Sequence, residues 1–175
     1  MNVGVSDVED AQFVDFVEEQ LSKAGSAANL CLEITETGVM HKPDAMLQNL
    51  ARLRRLGVKL SIDDFGTGYS SFAYLAKMPV NELKIDQVFV MSMNSTFESV
   101  SIVRSMIEIG HILGLKVVAE GVETIGIWQA LAVMGCDEVQ GYLIAKPMAS
   151  QVLLDWLAEG PHQPAELTPP SMSNF

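Results

Sequence analysis

The sequence predicts an α/β fold of mostly parallel strands, closer to a (β/α) barrel than to an open doubly wound sheet. Three observations carry that reading. Short β-rich runs alternate with longer stretches whose apolar residues recur three or four apart. Strand after strand has one apolar face and one polar, mostly charged face. The polar groups gather toward the strand ends that such a barrel uses for its active site. The 175 residues suffice for one domain with a sizeable core and are too few for two.

Taken in order, Met1–Val5 is a weak strand candidate, and Phe13, Phe16 or Val17, and Leu21 mark the first helix. Leu30–Thr35 is a strand. Leu47, Leu50 and Leu53 mark a helix that Gly57 ends at about its C′ position. Val58–Asp63 and Glu82–Asp86 are the next strands. A long helix follows with two apolar stripes, Val100, Val103 and Ile107 beside Ile102, Met106, Ile109 and Leu113, both expected to pack on the sheet. Lys116–Glu120 and Asp137–Gln140 complete the strands. From Gly160 onward, prolines 161, 164, 169 and 170 interrupt a polar stretch. Residues 1–159 are therefore expected to fold and 160–175 to form a disordered tail.

The face split argues for the barrel. Leu30, Leu32 and Ile34 oppose Cys31, Glu33 and Thr35; Val58, Leu60 and Ile62 oppose Lys59, Ser61 and Asp63; Leu83 and Ile85 oppose Glu82, Lys84 and Asp86. Val117 and Ala119 face away from Glu120, and Val139 away from Glu138 and Gln140. A doubly wound sheet needs apolar residues on both faces. A barrel covers one face with helices and turns the other inward. Carboxylates converging there repel one another unless cations join them, which is the physical argument for metal.

The formal charge of −11 disfavours a nucleic-acid surface, which would cluster Lys and Arg. An anionic ligand would have to be held through divalent cations. Cys31 and Cys136 are isolated and read as two reduced, buried thiols. The RLRR run at Arg52–Arg55 reads as a solvated helix face, and the three histidines as surface or satisfied core. No run of about 20 apolar residues suggests a membrane helix, and no signal peptide is visible. The expected location is cytoplasmic.

Five motifs stand in order at strand ends: LEITE (Leu32–Glu36), IDDFGTGYSS (Ile62–Ser71), LKID (Leu83–Asp86), AEGVE (Ala119–Glu123) and QGY (Gln140–Tyr142). Together they resemble the EAL family of cyclic-di-GMP phosphodiesterases, from Asn2 to about Leu157. The resemblance implies a TIM-type (β/α) barrel, incomplete here, and roles for individual residues. Asn2, Glu33, Asp63, Asp64 and Glu120 would hold metal, with Asp64 serving the second ion. Lys84 would contact the attacking water and the phosphate, and Glu120 would sit close to the metals and the water. Asp63, Lys84 and Glu120 thus form the expected catalytic set. Lys84, Glu123 and Gln140 would bind substrate, and Glu36 would anchor the loop Phe65–Ser71. The family usually has serine where Gly4 stands.

Taken singly, several of these residues have plainer readings. Asp63–Asp64 before Phe65–Gly66–Thr67–Gly68 could be a strand-ending turn with glycines at positive φ. Lys84 could be an ion-paired strand lysine, Glu120 and Glu123 could cap a helix, and Gln140 could satisfy only backbone groups. As a set they suit two-metal hydrolysis. Two Mg²⁺ or Mn²⁺ ions about 4 Å apart activate a water and clamp the phosphate. Hard cations prefer the oxygen ligands of Asp, Glu and Asn.

A complete barrel of this type runs to about 250 residues. The chain is accordingly expected to be N-terminally shortened, lacking the Glu-Ala-Leu segment, and to form a homo-oligomer that covers the open barrel. The function expected from the resemblance is hydrolysis of cyclic-di-GMP to the linear dinucleotide, feeble or absent in this chain alone because a metal ligand and a substrate contact go with the missing segment. The alternative is a non-catalytic module that binds the nucleotide or a protein partner. Neither a nucleic-acid polymer nor a membrane is an expected partner.

Overall fold

A computed structural model describes residues 1–25, 27, 30–36, 43–68 and 72–159. The expected tail at 160–175 and residues 69–71 of the IDDFGTGYSS motif lie outside the described residues. The elements are α1 (Val5–Glu9), α2 (Ala11–Ala24), β1 (Cys31–Thr35), α3 (Pro43–Arg55), β2 (Lys59–Phe65), α4 (Phe72–Leu75), β3 (Glu82–Ile85), α5 (Gln87–Ser92), α6 (Phe97–Ile112), β4 (Lys116–Ala119), α7 (Ile125–Val133), β5 (Glu138–Val139) and α8 (Ser150–Glu159).

The strands form one sheet in the order β1-β2-β3-β4-β5, each neighbour parallel. That order follows the chain without a reversal, and right-handed crossovers then put the described connecting helices on the same face. The face they cover holds Leu32, Ile34, Leu60, Ile62, Leu83, Ile85 and Val117, all buried. The other face carries Glu33, Ser61, Asp63, Lys84 and Glu138. The alternation in the sequence therefore reads correctly as an apolar outer face and a polar inner one.

Sequence signals explain the helix ends. Asp10, Asp86, Thr96 and Thr124 accept backbone N–H bonds as N-caps of α2, α5, α6 and α7. Gly25 and Gly57 follow α2 and α3 with φ of 75° and 87°. Leu50 and Leu53 of α3 are buried as the leucine stripe predicts.

Several expectations need correction. The strand proposed at Met1–Val5 reduces to one bridge, Asn2 with Glu33, because α1 already begins at Val5. The last strand is two residues long rather than four. On α2 the core position is Val17 and not Phe16, which is exposed. The second stripe of α6 is only partly core, since Met106 is buried and Ile102 exposed. Both cysteines are free and half-buried rather than fully buried. Arg52 is not simply solvated: it reaches α2, 2.7 Å from Asp15 and 2.5 Å from Glu18. Among the described residues no helix is long and apolar enough to cross a membrane.

Candidate metal centre

The C-terminal ends of β1, β2, β3 and β4 bring one cation and several carboxylates together. Lys84, central on β3, is 4% exposed. Its Nζ lies 2.6 Å from Glu120 Oε1, 3.1 Å from Asp63 Oδ1 and 3.3 Å from Glu33 Oε2. Burial alone would pull the Lys84 pKa down. Hydrogen bonding to Glu120, then to Asp63, outweighs this and leaves it raised. Lys84 is therefore a fixed positive charge.

The two aspartates of β2 owe their placement to a bulge. Ser61 and Ile62 pair with Glu82 and Leu83, but Phe65 pairs with Ile85. One extra residue is thus accommodated on β2, and Asp63 and Asp64 both stand across from Lys84. Asp64 takes φ of 57°, a left-handed conformation that Asp tolerates better than most residues. The bulge re-aims a side chain that strict alternation would have sent to the helix-covered face.

Oxygens of Asp63, Asp64 and Glu120 lie within 4.8 Å of one another, close enough to ligate a common cation. Asp63 Oδ1 is buried and lacks a well-aligned hydrogen bond despite its nearness to Nζ. A buried carboxylate oxygen met only by a poorly aligned ammonium keeps capacity that a bound cation would use. Burial, then the neighbouring Asp63 and Asp86 carboxylates, pushes the Asp64 carboxyl up. Glu120 is likewise raised, chiefly by burial, with Lys84 opposing. Both shifts express an excess of negative charge in a poorly solvated place, so the residues fit hard divalent ions.

Glu36, 3% exposed, accepts from the amides of Gly66 at 2.8 Å and Gly68 at 3.2 Å. Asn2 is exposed and sits beside Glu33 through its backbone bridge. Glu123 and Gln140 lie farther out, lining a cavity of about 360 Å³ with Glu120 and Tyr142. Neither glutamate caps α7, since Thr124 does. The Gln140 backbone is paired with Ala119 and Val122, which leaves its exposed side chain available to the cavity.

Strand alternation puts Asp86 on the polar face, and none of the roles implied by the resemblance falls on it. The structure sets its carboxyl against that of Asp64 while it also accepts from the Val88 amide at 2.7 Å. Its position two residues after Lys84 was the available signal.

The family model for the EAL domain matches residues 1–147. The chain is 44% identical over 158 residues to cyclic di-GMP phosphodiesterase NbdA of Pseudomonas aeruginosa, covering 90% of this chain and 20% of that protein. Among solved structures, PaMucR phosphodiesterase in complex with c-di-GMP superposes with a TM-score of 0.82 at 40% identity, covering 87% of this chain and 62% of that one. The EAL domain of Mycobacterium smegmatis DcpA gives 0.85 at 37% identity, covering 91% and 72%. The chain spans between a fifth and a third of the length of the curated relatives it matches.

Proposed function

The chain belongs to the EAL domain family, and from that premise we propose that it hydrolyses cyclic-di-GMP to the linear dinucleotide at the mouth formed by β1 to β4. The observation that carries the reading is the convergence of Asp63, Asp64 and Glu120 within 4.8 Å, beside the buried ammonium of Lys84.

Glu33, Asp63, Asp64 and Glu120 are the residues we assign to two Mg²⁺ or Mn²⁺ ions, with the Asn2 side chain added from the neighbouring edge. Bound there, the ions supply a water of lowered pKa and neutralise charge on the phosphoryl oxygens. The rest is the work of the chain. Lys84, held on three sides by carboxylates, offers fixed positive charge to the phosphate and to the attacking water. Glu120, 2.6 Å from Lys84 Nζ, is the carboxylate we assign to accept a proton from that water. Glu36 keeps the loop after Asp63 and Asp64 in place. Glu123 and Gln140 flank the cavity for the nucleotide, and Tyr142 gives a base an aromatic face there.

Exposed Val152, Leu154 and Leu157 on α8, together with Ile144 near the short edge strand β5, support self-association. A cytoplasmic place of action suits a nucleotide substrate.

The test is hydrolysis of cyclic-di-GMP by the 175-residue chain with Mg²⁺ and then Mn²⁺, beside Asp63→Asn. Linear dinucleotide from the wild type and none from the variant is the expected result. Equal turnover by the variant would reject the assignment. Light scattering at micromolar concentration reads the oligomer, and a monomer would dismiss self-association.

A further inference from the structure

We propose that Lys84 is a built-in competitor for divalent cations, its ammonium drawing on Asp63 and Glu120, the same carboxylates that a bound cation would use. The proposal rests on the metal reading above and adds to it what sets the affinity.

An ammonium has three protons and accepts nothing. Three carboxylates surround Nζ, at 2.6 Å, 3.1 Å and 3.3 Å, and the side chain is almost wholly buried. Two of those three, Asp63 and Glu120, also belong to the cluster whose oxygens come within 4.8 Å of one another. The ammonium and a cation therefore draw on the same groups.

A hard cation holds its oxygens at about 2.0–2.6 Å. Seated among Asp63, Asp64 and Glu120, it would stand a few ångströms from Nζ in a place that water screens weakly. Like charges so close oppose each other. Either Lys84 gives up its short contact with Glu120, or the cation is held less tightly than its ligands alone would allow.

The charge count shows why both states are tenable. Glu33, Asp63, Asp64 and Glu120 bring four negative charges against the single charge of Lys84. The ammonium reduces the repulsion enough for the strands to pack, and leaves enough of it to attract cations. Lys84 thus lowers affinity in exchange for a cluster that is stable at low cation concentration.

Two substitutions separate the possibilities. Lys84→Gln removes the charge and keeps hydrogen-bond donors; Lys84→Met removes both and adds no oxygen ligand. Each 175-residue chain is titrated with Mn²⁺, free Mn²⁺ being followed by electron paramagnetic resonance, and Tm is measured in EDTA and in Mn²⁺. Both variants are expected to have a lower Tm in EDTA. Both should bind Mn²⁺ at least about tenfold more tightly than wild type and gain more Tm from it. Binding by the variants alone would support the proposal equally.

Equal or weaker affinity in folded variants overturns the competitor role and leaves the metal site standing. So does a gain confined to Lys84→Gln, which would mark a new oxygen ligand. Variants that stay unfolded in saturating Mn²⁺, where wild type binds it, also count against the proposal. Failure of all three chains to bind Mn²⁺ overturns the metal reading as well.

Discussion

Glu36 Oε2 accepts hydrogen bonds from two amides of one loop, Gly66 at 2.8 Å and Gly68 at 3.2 Å. One carboxylate at the end of β1 therefore ties down the segment that leaves β2 directly after Asp63 and Asp64. The acidic pair is fixed at one side by the sheet and at the other by this clasp.

Replacing Glu36 with Ala leaves two amides without their acceptor. Loss of buried hydrogen-bond partners costs about 1–3 kcal/mol, so the urea midpoint should fall accordingly. Hydrolysis should fall further than stability does, about tenfold or more, because a loosened loop frees Asp64 from its left-handed conformation. Unchanged activity in a destabilised Glu36→Ala chain would show that the loop does not position the aspartates.

Gly141 and Gly126 should respond in opposite directions to alanine. A Cβ at Gly141 would lie 2.2 Å from the Val122 carbonyl oxygen and 2.3 Å from its nitrogen, and backbone cannot step aside. Gly141→Ala should cost about 2–3 kcal/mol and distort the cavity that Gln140 and Tyr142 line. Gly126 lies in α7 with nothing within 4 Å of its Cβ position. Gly126→Ala should add about 0.5 kcal/mol through helix propensity and a less disordered unfolded chain. Chemical denaturation of both variants checks the pair.

Asp64→Asn should stabilise the chain measured in EDTA, with Tm rising by about 2–4 °C. Asn occupies the left-handed region readily, and the change removes a charge that burial and the nearby Asp63 and Asp86 disfavour. Mn²⁺ should then raise Tm less than it does in wild type, because one anionic ligand is gone. A destabilised Asp64→Asn in EDTA would contradict the account of excess negative charge.

The acid limb of the stability curve should involve Asp137, far from the carboxylate cluster. Burial raises its carboxyl, but the Val117 amide at 2.8 Å and His111 Nε2 at 2.9 Å outweigh that and leave it lowered. A carboxyl with a lowered folded pKa binds protons more readily when unfolded, so its contribution is present at neutral pH. The contribution is lost as pH falls below the ordinary carboxyl range of about 4 toward the folded value. The stability gap between wild type and Asp137→Asn should shrink as pH falls below about 4. A gap that widens on acidification would contradict the sign.

The strands were legible because their alternation corresponds to real burial: Leu32, Ile34, Leu60 and Ile62 are hidden where the period of two puts them. The residues of the candidate site were legible because they cluster at the ends of those strands. Asp64 shows the limit. Its usefulness depends on a bulge between β2 and β3, and register with a neighbouring strand leaves no mark in an Asp-Asp pair. Phe16 and Val17 fit the helix period equally well, and only the way α2 packs decides that Val17 goes inward. Arg52 looked solvated because its partners Asp15 and Glu18 lie on another helix, a contact that local sequence does not express.

The unbroken strand order also governs how the sheet is built. Among the described residues no pairing skips a strand, so each strand finds its neighbour already emerged during synthesis. The charges arrive in the same sequence: Glu33 with β1, Asp63 and Asp64 with β2, then Lys84 with β3, and Glu120 only after β4. The nascent edge is at its most self-repelling once β2 has docked. Zippering of β3 brings in the counter-charge, which makes that step a natural point of commitment along the folding route.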